Sequence, residues 1–316
     1  MYREVLHVIG AADLQTELQA LVKRSVPAKE DHMAFVDSGG VELYVEETGS
    51  GFPIVWVHEF ASDSREWEPQ VRWFSRSHRC ITYNARGYPP SGVPQDRDAY
   101  GWQAAVADLL AVLDGLGIAA AHLVGLSMGG YTVLQFALQH PERASGVVAA
   151  GAGSGSGPAE RETWPRVAGA IAETIRSRPM AESAEDIGNG PTGLQLKAKS
   201  PRAWQEFMDH LREHSEEGMA NTMARFQAQR PSLYDFKEQF RALDVPVLLA
   251  VGDEDGPCLE TNLMLKRAIP TAGLWIHPHT GHAINLEEPA AFNAMVSAFL
   301  ADVERAERHR VFTRAT

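Results

Sequence analysis

The sequence predicts an α/β fold: a mostly parallel sheet of eight strands, helices on both faces of the sheet, and an inserted helical cap. Three observations favour this class. Two extended segments joined by a glycine turn come first, and short apolar segments then alternate with longer helical ones. Finally, the interval between residues 151 and 246 contains no convincing strand.

The first two extended segments predict an antiparallel hairpin. The segments HMAFVDSG and VELYVEETG alternate in polarity and are rich in β-branched residues, and Gly39 and Gly40 lie between them. Such glycines are typical of a tight turn between paired strands. Before the hairpin, leucines at helical spacing between residues 11 and 24 predict an amphipathic helix.

The alternating part of the chain predicts βαβ units, whose strands pair in parallel. Apolar segments predict strands at 54–58, 79–83, 121–126, 145–151, 246–252 and 273–277. Helices are predicted near 66–76, 101–116, 128–140, 259–268 and 287–303.

The strand-free interval predicts a helical cap. It opens with the linker-like sequence GAGSGSG at 151–157, and the helical sequence that follows carries bulky apolar residues expected to form helix cores and, as a group, to line a pocket. They are Trp164, Trp204, Phe207, Met208, Met219, Met223, Phe226 and Tyr234. We predict an N-terminal helical extension at 1–30, a core at 31–151 and 237–304, the cap at 152–236, and a C-terminal tail at 305–316.

Composition narrows the classes of partner. The formal net charge of −12 disfavours nucleic-acid binding, and small molecules are the expected partners. Cys80 and Cys258 form no metal or redox motif, so buried or partly buried free thiols are expected. With neither a secretory signal nor a long apolar run, we expect cytoplasmic residence and no membrane span. The oligomeric state stays open, a homodimer included.

The sequence GLSMGG at 125–130 indicates a nucleophile. It is a G-x-S-x-G motif placed where an apolar strand ends and a helix begins. Ser127 is expected on a sharp, strained turn, with Gly125 and Gly129 needed because strand and helix converge there. The same turn directs the helix N-terminus at the reacting carbonyl, so the Met128 amide is a candidate oxyanion donor.

A serine needs a base, and His282 is the preferred candidate among the twelve histidines. It lies in TGHAINLEEP, after the last predicted strand. His277 and His279 are interpreted as structural residues. His210 and His214, four residues apart, lack a third ligand nearby in sequence and are interpreted as a solvated helix face rather than a metal site.

A carboxylate at the end of an intervening strand should orient the histidine, and VGDEDGP offers Asp253, Glu254 and Asp255. The segments HEF, NARGY, GLSMGG, GDED and GH together resemble the α/β-hydrolase superfamily over residues 33–303. In that superfamily the acid usually stands three residues after the strand-ending glycine. The resemblance therefore implies Asp255, with Asp253 as the alternative.

The resemblance also implies the second oxyanion donor, together with a departure from the pattern. Most relatives carry H-G where this chain has His58 and Glu59, so the matching donor is the Phe60 amide. A carboxylate about 7 Å from the oxyanion would cost roughly 2.4 kcal/mol at an effective dielectric constant of about 20. We expect Glu59 to turn away from the hole, to pair with Arg65 or Arg86, or to be protonated, and we favour pairing with Arg86.

The sequence ASDSREWEPQVRWF, followed by NARGYPPSGVP, is most similar to the enol-lactonase and cofactor-free haloperoxidase branches of the superfamily. This resemblance implies hydrolysis of a carboxylic ester or lactone through an acyl-enzyme, with no metal or organic cofactor. Three alternatives stay open: a carbon–carbon bond hydrolase, an acyltransferase, and a non-catalytic ligand-binding receptor. A haloalkane dehalogenase is disfavoured because its nucleophile would be an aspartate.

Overall fold

The computed structural model of the chain describes residues 32–314, with side chains described for 33–306. The helix predicted within 11–24 and the extension predicted at 1–30 lie outside the described residues. Within the described part, the architecture is the predicted one: a mostly parallel sheet with helices on both faces.

The sheet has eight strands in the part of the chain that the structure describes. Their spatial order is β1-β2-β4-β3-β5-β6-β7-β8, with antiparallel pairing between β1 and β2 and between β2 and β4, and parallel pairing elsewhere. The strands are β1 His32–Asp37, β2 Glu42–Gly49, β3 Phe52–Val57, β4 His78–Tyr83, β5 Ala121–Leu126, β6 Ala144–Ala150, β7 Val247–Gly252 and β8 Ala272–His277.

The helices of the core alternate with these strands, and those of the cap follow β6. They are α1 Glu68–Phe74, α2 Trp102–Gly115, α3 Met128–Gln139, α4 Trp164–Arg176, α5 Met180–Gly188, α6 Leu194–Lys199, α7 Pro201–Arg212, α8 Glu216–Asn221, α9 Lys237–Arg241, α10 Gly256–Ala268, α11 Ile284–Glu287 and α12 Pro289–Arg314. A π-helix, Thr222–Gln227, continues α8. None of the helices in the described range is long and apolar enough to cross a membrane.

Alternate residues of each strand face the two helical layers. In β3, Val55 and Val57 belong to the cluster shared with α2 and α3, whereas Ile54 and Trp56 belong to the cluster shared with α1 and α12. Because both faces of the sheet are covered, the strands are nearly continuous apolar runs, as expected for a parallel sheet.

The cap packs on the first of these clusters, to which all eight of its predicted bulky residues belong or against which they pack. Hydrogen bonds also join cap and core: the Tyr131 hydroxyl donates to the Pro231 carbonyl at 3.0 Å, and His214 Nε2 lies 3.2 Å from Asp63 Oδ2. The cap therefore contacts the core over the carboxyl ends of the strands, where the candidate residues gather.

The last helix runs farther than predicted. The sequence pattern predicts its end at 303 and a tail from 305, but α12 continues to Arg314. The predicted end of this helix was therefore too early, because the sequence ADVERAERHR contains no glycine or proline to stop a helix.

Candidate active site

Ser127 occupies a strained turn between β5 and α3. Its backbone φ of 51° lies in the left-handed region that side chains rarely adopt. A Cβ added at Gly125 would lie 2.3 Å from the Gly129 carbonyl carbon, and one at Gly129 would lie 2.0 Å from the Val57 carbonyl oxygen. Strand and helix thus converge so closely that only glycine fits at either position, as the motif predicts.

Two backbone amides near this turn are unengaged. Those of Met128, the first residue of α3, and of Phe60, after β3, donate no hydrogen bond to any group in the described residues. Amides at a helix N-terminus carry partial positive charge and favour an anion. These are the two donors that the sequence analysis assigns to an oxyanion hole.

The turn that carries Phe60 is held by buried hydrogen bonds. His58 Nδ1 lies 2.6 Å from the Glu59 carbonyl oxygen, while its Nε2 accepts from the Ala85 amide at 2.9 Å. Burial lowers the pKa of His58 to about 4, so the ring is neutral, and these partners require the proton on Nδ1. The Tyr88 hydroxyl donates to the Phe60 carbonyl at 2.8 Å. The Phe60 amide is therefore fixed from both sides.

The structure brings His282 and Asp255 together. His282 Nδ1 lies 2.8 Å from Asp255 Oδ2, with both side chains buried. Burial disfavours the charged ring, but the charge and hydrogen bond of Asp255 outweigh it, and the pKa of His282 is raised well above 6.5. Asp253 instead accepts from the Thr280 amide at 3.2 Å, so it braces the loop. The geometry favours Asp255 over Asp253.

The turn of Ser127 and the loop of His282 both contact the chain at the end of β6. The Ser127 amide donates to the Ala150 carbonyl at 2.8 Å, at the end of β6. A Cβ built on the next residue, Gly151, would lie 3.4 Å from the His282 ring. The serine turn and the histidine loop thus contact adjacent residues at one edge of the sheet.

The predicted pairing of Glu59 with Arg86 was wrong. Arg86 Nε donates to Asp108 at 2.8 Å, and the alternative partner, Arg65, binds Asp63 and Glu213. Glu59 Oε2 instead lies 3.7 Å from His282 Nε2. Burial, with a contribution from the charge of Asp255, raises the pKa of Glu59 even though His282 opposes the shift.

The predicted solvent exposure of His214, a histidine of the cap, was also wrong. His214 is buried rather than solvated, and its ring bridges Asp63 Oδ2 and Met219 Sδ, each at 3.2 Å. Sequence spacing could not reveal Asp63, which lies 151 positions away. His279, in contrast, is exposed, and His277 bonds its own loop through Thr280 Oγ1 at 2.9 Å.

Cys258 lies beside the histidine, which the sequence analysis missed. Both cysteines are buried free thiols, as expected, but Cys258 Sγ is 3.9 Å from His282 Nδ1 and donates to the Gly151 carbonyl at 3.1 Å. Ligand atoms of Asp255, Cys258 and His282 all lie within 4.8 Å of one another, close enough for a metal ion. Burial raises the pKa of Cys258, and a protonated thiol is a poor ligand. The group is better suited to hydrogen bonding.

Arg230 was missed as well. It stacks over the Tyr131 ring at 4.9 Å and donates to the Ser154 carbonyl at 2.7 Å, and no carboxylate of the described residues pairs with it. The residue immediately precedes Pro231, whose carbonyl binds Tyr131. Its only sequence signal is a position at the end of the cap, next to the core.

Known proteins resemble the chain over most of its length. The 3-oxoadipate enol-lactonase 2 of Acinetobacter baylyi is 26% identical over 251 residues, covering 78% of this chain and 88% of the relative. A 2-hydroxy-6-oxononadienedioate/2-hydroxy-6-oxononatrienedioate hydrolase of Paraburkholderia phymatum is 27% identical over 278 residues, covering 83% of this chain and 92% of the relative. The first relative is named as a lactonase and the second as a hydrolase.

Solved structures agree on the fold. A thermophilic esterase from Thermogutta terrifontis superimposes with a TM-score of 0.76 at 24% identity, covering 86% of this chain and 99% of the esterase chain. The sequence model of the alpha/beta hydrolase fold family matches residues 53–289, which include the serine turn, the cap and the histidine loop. This chain therefore belongs to the alpha/beta hydrolase fold family.

Proposed function

We propose that the chain hydrolyses a carboxylic ester or a lactone through an acyl-enzyme formed on Ser127. The buried 2.8 Å contact between His282 Nδ1 and Asp255 carries the proposal. A carboxylate on Nδ1 fixes the tautomer in which Nε2 is the basic nitrogen, which is the form that can take a proton from a serine.

In the first half of the reaction, Ser127 attacks the carbonyl carbon while its proton passes to His282 Nε2. Negative charge then develops on the carbonyl oxygen, and the amides of Phe60 and Met128 are the donors for it. Each such donor contributes about 3 to 4 kcal/mol to the stability of the transition state. The strained φ of Ser127 supports this role, because it holds the residue at the tip of the turn.

In the second half, His282 takes a proton from water, which attacks the acyl-enzyme and releases the acid. Asp255 stabilises the imidazolium that forms in each half. The proposed steps need no metal or organic cofactor. The cap contributes by covering the carboxyl edge of the sheet, where its apolar side chains would exclude water and select the acyl group.

The two relatives support a carbonyl substrate, but they support cleavage of two different types of bond. Likeness to an enol-lactonase supports cleavage of a carbon–oxygen bond. Likeness to the 2-hydroxy-6-oxononadienedioate hydrolase supports carbon–carbon cleavage as the second candidate. The same serine and histidine can serve either reaction, so a substrate panel must decide between them.

Labelling with a fluorophosphonate tests the mechanism directly, because this probe reacts with an activated serine. We expect the wild-type protein to be labelled and Ser127→Ala to be unlabelled. Turnover of p-nitrophenyl esters of increasing chain length and of simple lactones should fall by about 10⁴ to 10⁶ in Ser127→Ala or His282→Ala, since these residues act as a unit.

Retention of more than about a tenth of wild-type turnover by either variant would contradict the mechanism. A wild-type protein that stays unlabelled would instead favour a ligand-binding receptor. Hydrolysis of a 2-hydroxy-6-oxo dienoate much faster than of any ester or lactone would favour the carbon–carbon hydrolase.

A further inference from the structure

Glu59 presents a buried carboxyl group to the reactive nitrogen of the site. Its side chain is 8% exposed, and Oε2 lies 3.7 Å from His282 Nε2. Within the described range, no other cation comes within ion-pairing distance of it and no donor makes a hydrogen bond to its carboxyl oxygens. The carboxyl group therefore faces the place where a bound substrate would exchange protons.

Other carboxyl groups surround this one, and burial raises the pKa of the nearest, Glu66, well above its usual value. The Glu59 amide donates to Glu66 Oε1 at 3.0 Å, and Glu66 Oε2 is buried without a partner. On the other side stands Asp255, bound to His282. The nearby Tyr88 hydroxyl is already used by the Phe60 carbonyl. Ionised Glu59 would thus have no stabilising partner unless His282 were charged.

Glu59 and His282 consequently hold one proton between them. When that proton lies on His282, the ring cannot act as a base. When it lies on Glu59, the ring is neutral and the carboxyl group is an acid. The two arrangements have the same net charge, so the proton can move between them without adding charge to the buried site. Burial raises the pKa of Glu59 and Asp255 raises the pKa of His282, so both groups hold a proton more tightly than usual and the shared proton is available to either.

We propose that Glu59 is a second proton-transfer residue of this active site, and that it protonates the leaving group while His282 deprotonates Ser127. This proposal rests on the function proposed above. It assigns the two proton transfers of acylation to two different residues. The carboxylic acid then acts as a neutral donor, so the repulsion expected from a carboxylate beside the oxyanion does not arise.

The protons balance through the cycle. Ser127 loses its proton to His282 and forms the carbon–oxygen bond to the acyl group. The bond to the leaving oxygen breaks, and that oxygen takes the proton of Glu59. The site now holds a carboxylate and an imidazolium 3.7 Å apart in the resting geometry. Return of the proton from His282 to Glu59 regenerates a neutral base, which activates water for deacylation.

The assignment of the two proton transfers to two residues identifies a substrate class. Protonation of the leaving group matters most when that group is strongly basic, as an alkyl alkoxide is, and least when it is a stable anion such as p-nitrophenolate. General acid catalysis typically contributes a factor of 10² to 10⁴. The site therefore fits alkyl esters and unactivated lactones, whose alkoxides leave poorly without a proton.

The test compares two butyrate esters in Glu59→Gln, which keeps the size of the side chain but cannot donate an acidic proton. We expect kcat/KM for ethyl butyrate to fall about 100-fold and kcat/KM for p-nitrophenyl butyrate to change less than about threefold. Both esters give the same acyl-enzyme, so the comparison isolates the leaving group. Glu254→Gln, in the loop beside Asp255, is the matched control and should leave both rates unchanged.

A Glu59→Gln variant that loses the same factor on both esters, or keeps full activity on ethyl butyrate, overturns the proposal. Glu59→Gly, which restores the residue usual in the superfamily, must show the same selective loss, and it serves if the glutamine variant is unstable. Fluorophosphonate labelling separates the two hypotheses. A wild-type protein that is not labelled contradicts both, whereas a labelled protein with equal losses contradicts this one alone.

Discussion

The two sides of the His282 ring differ although each faces a buried carboxyl group. On the Nδ1 side, Asp255 follows β7 and makes a 2.8 Å hydrogen bond. On the Nε2 side, Glu59 follows β3 and stands 3.7 Å away, too far for a hydrogen bond but close enough for an ion pair. Only the first contact fixes the ring.

The difference separates orientation from proton exchange. A carboxylate held at hydrogen-bond distance selects one tautomer and stays ionised through the reaction. A carboxyl group held just beyond that distance leaves room for a serine or a substrate oxygen to reach the same nitrogen. Asp255 is therefore suited to stay ionised and orient the ring, whereas Glu59 is suited to gain and lose a proton during the reaction.

The largest effect that tests this comparison is expected at Asp255. Asp255→Asn keeps the shape of the side chain but donates to Nδ1 instead of accepting, so it stabilises the wrong tautomer. We expect kcat to fall by about 10³ to 10⁴, as loss of such a carboxylate does in serine hydrolases. The measurement is steady-state hydrolysis of p-nitrophenyl butyrate.

Asp253→Asn is the matched control, because Asp253 contacts the loop backbone and not the ring. Its kcat should stay within a few fold of wild type. If the losses came out in the reverse order, Asp253 would be the orienting acid and the observed contact would not describe the working enzyme.

A smaller effect is expected in the pH profile. For ethyl butyrate, kcat/KM of the wild type should fall at low pH, where His282 is protonated, and again at high pH, where the proton shared with Glu59 is lost. Because the pKa of Glu59 is raised, its acidic form persists below that pKa and disappears above it. Glu59→Gln should lose the alkaline fall and keep the acidic one.

Hydrolysis of p-nitrophenyl butyrate provides the internal comparison, since its leaving group needs no proton. We expect no alkaline fall for this ester in wild type or variant. An alkaline fall that persists in Glu59→Gln would have to come from another group, and Glu59 would then not be the acid.

The smallest effect on activity is expected at Arg86, which binds Asp108 rather than Glu59. Arg86→Ala leaves the 1% exposed Asp108 side chain without its cation, and breaking a buried pair in this way costs about 3 to 5 kcal/mol of stability. Urea unfolding should detect this loss. A double-mutant cycle with Glu59→Gln on kcat/KM should give a coupling energy within about 0.5 kcal/mol of zero. If Glu59→Gln restored the kcat/KM lost in Arg86→Ala, the two residues would be coupled, contrary to the contacts in the structure.

Sequence patterns predicted the sheet well because its strands are short apolar runs bounded by polar or glycine residues. Strand β5 was predicted at its observed bounds, 121–126, and the others within two residues. The serine turn was also predictable, since G-x-S-x-G places all its geometric requirements within five residues. Local sequence was sufficient wherever the determining contacts are local.

Side-chain environments were less predictable because their partners are distant in sequence. Arg86 binds Asp108, 22 positions later on α2, rather than Glu59, and His214 contacts Asp63, which lies 151 positions away in sequence. The role of Glu59 has the same origin, since the ring that it faces is 223 positions later, the difference between 282 and 59. Sequence spacing can suggest charge partners for a residue, but it does not show which of them the fold brings into contact.

The contact between Gly129 and Val57 limits how the enzyme can be redesigned. Because helix α3 touches the end of β3 backbone to backbone, the nucleophile and the turn of Phe60 form one unit that tolerates no added atom. Libraries that vary Gly125 or Gly129 should yield mostly inactive proteins. The cap also contacts the core backbone to backbone where Gly218 meets Gly87, so diversity is best introduced at other positions of 164–227, where it can alter which substrates enter while the reacting geometry stays the same.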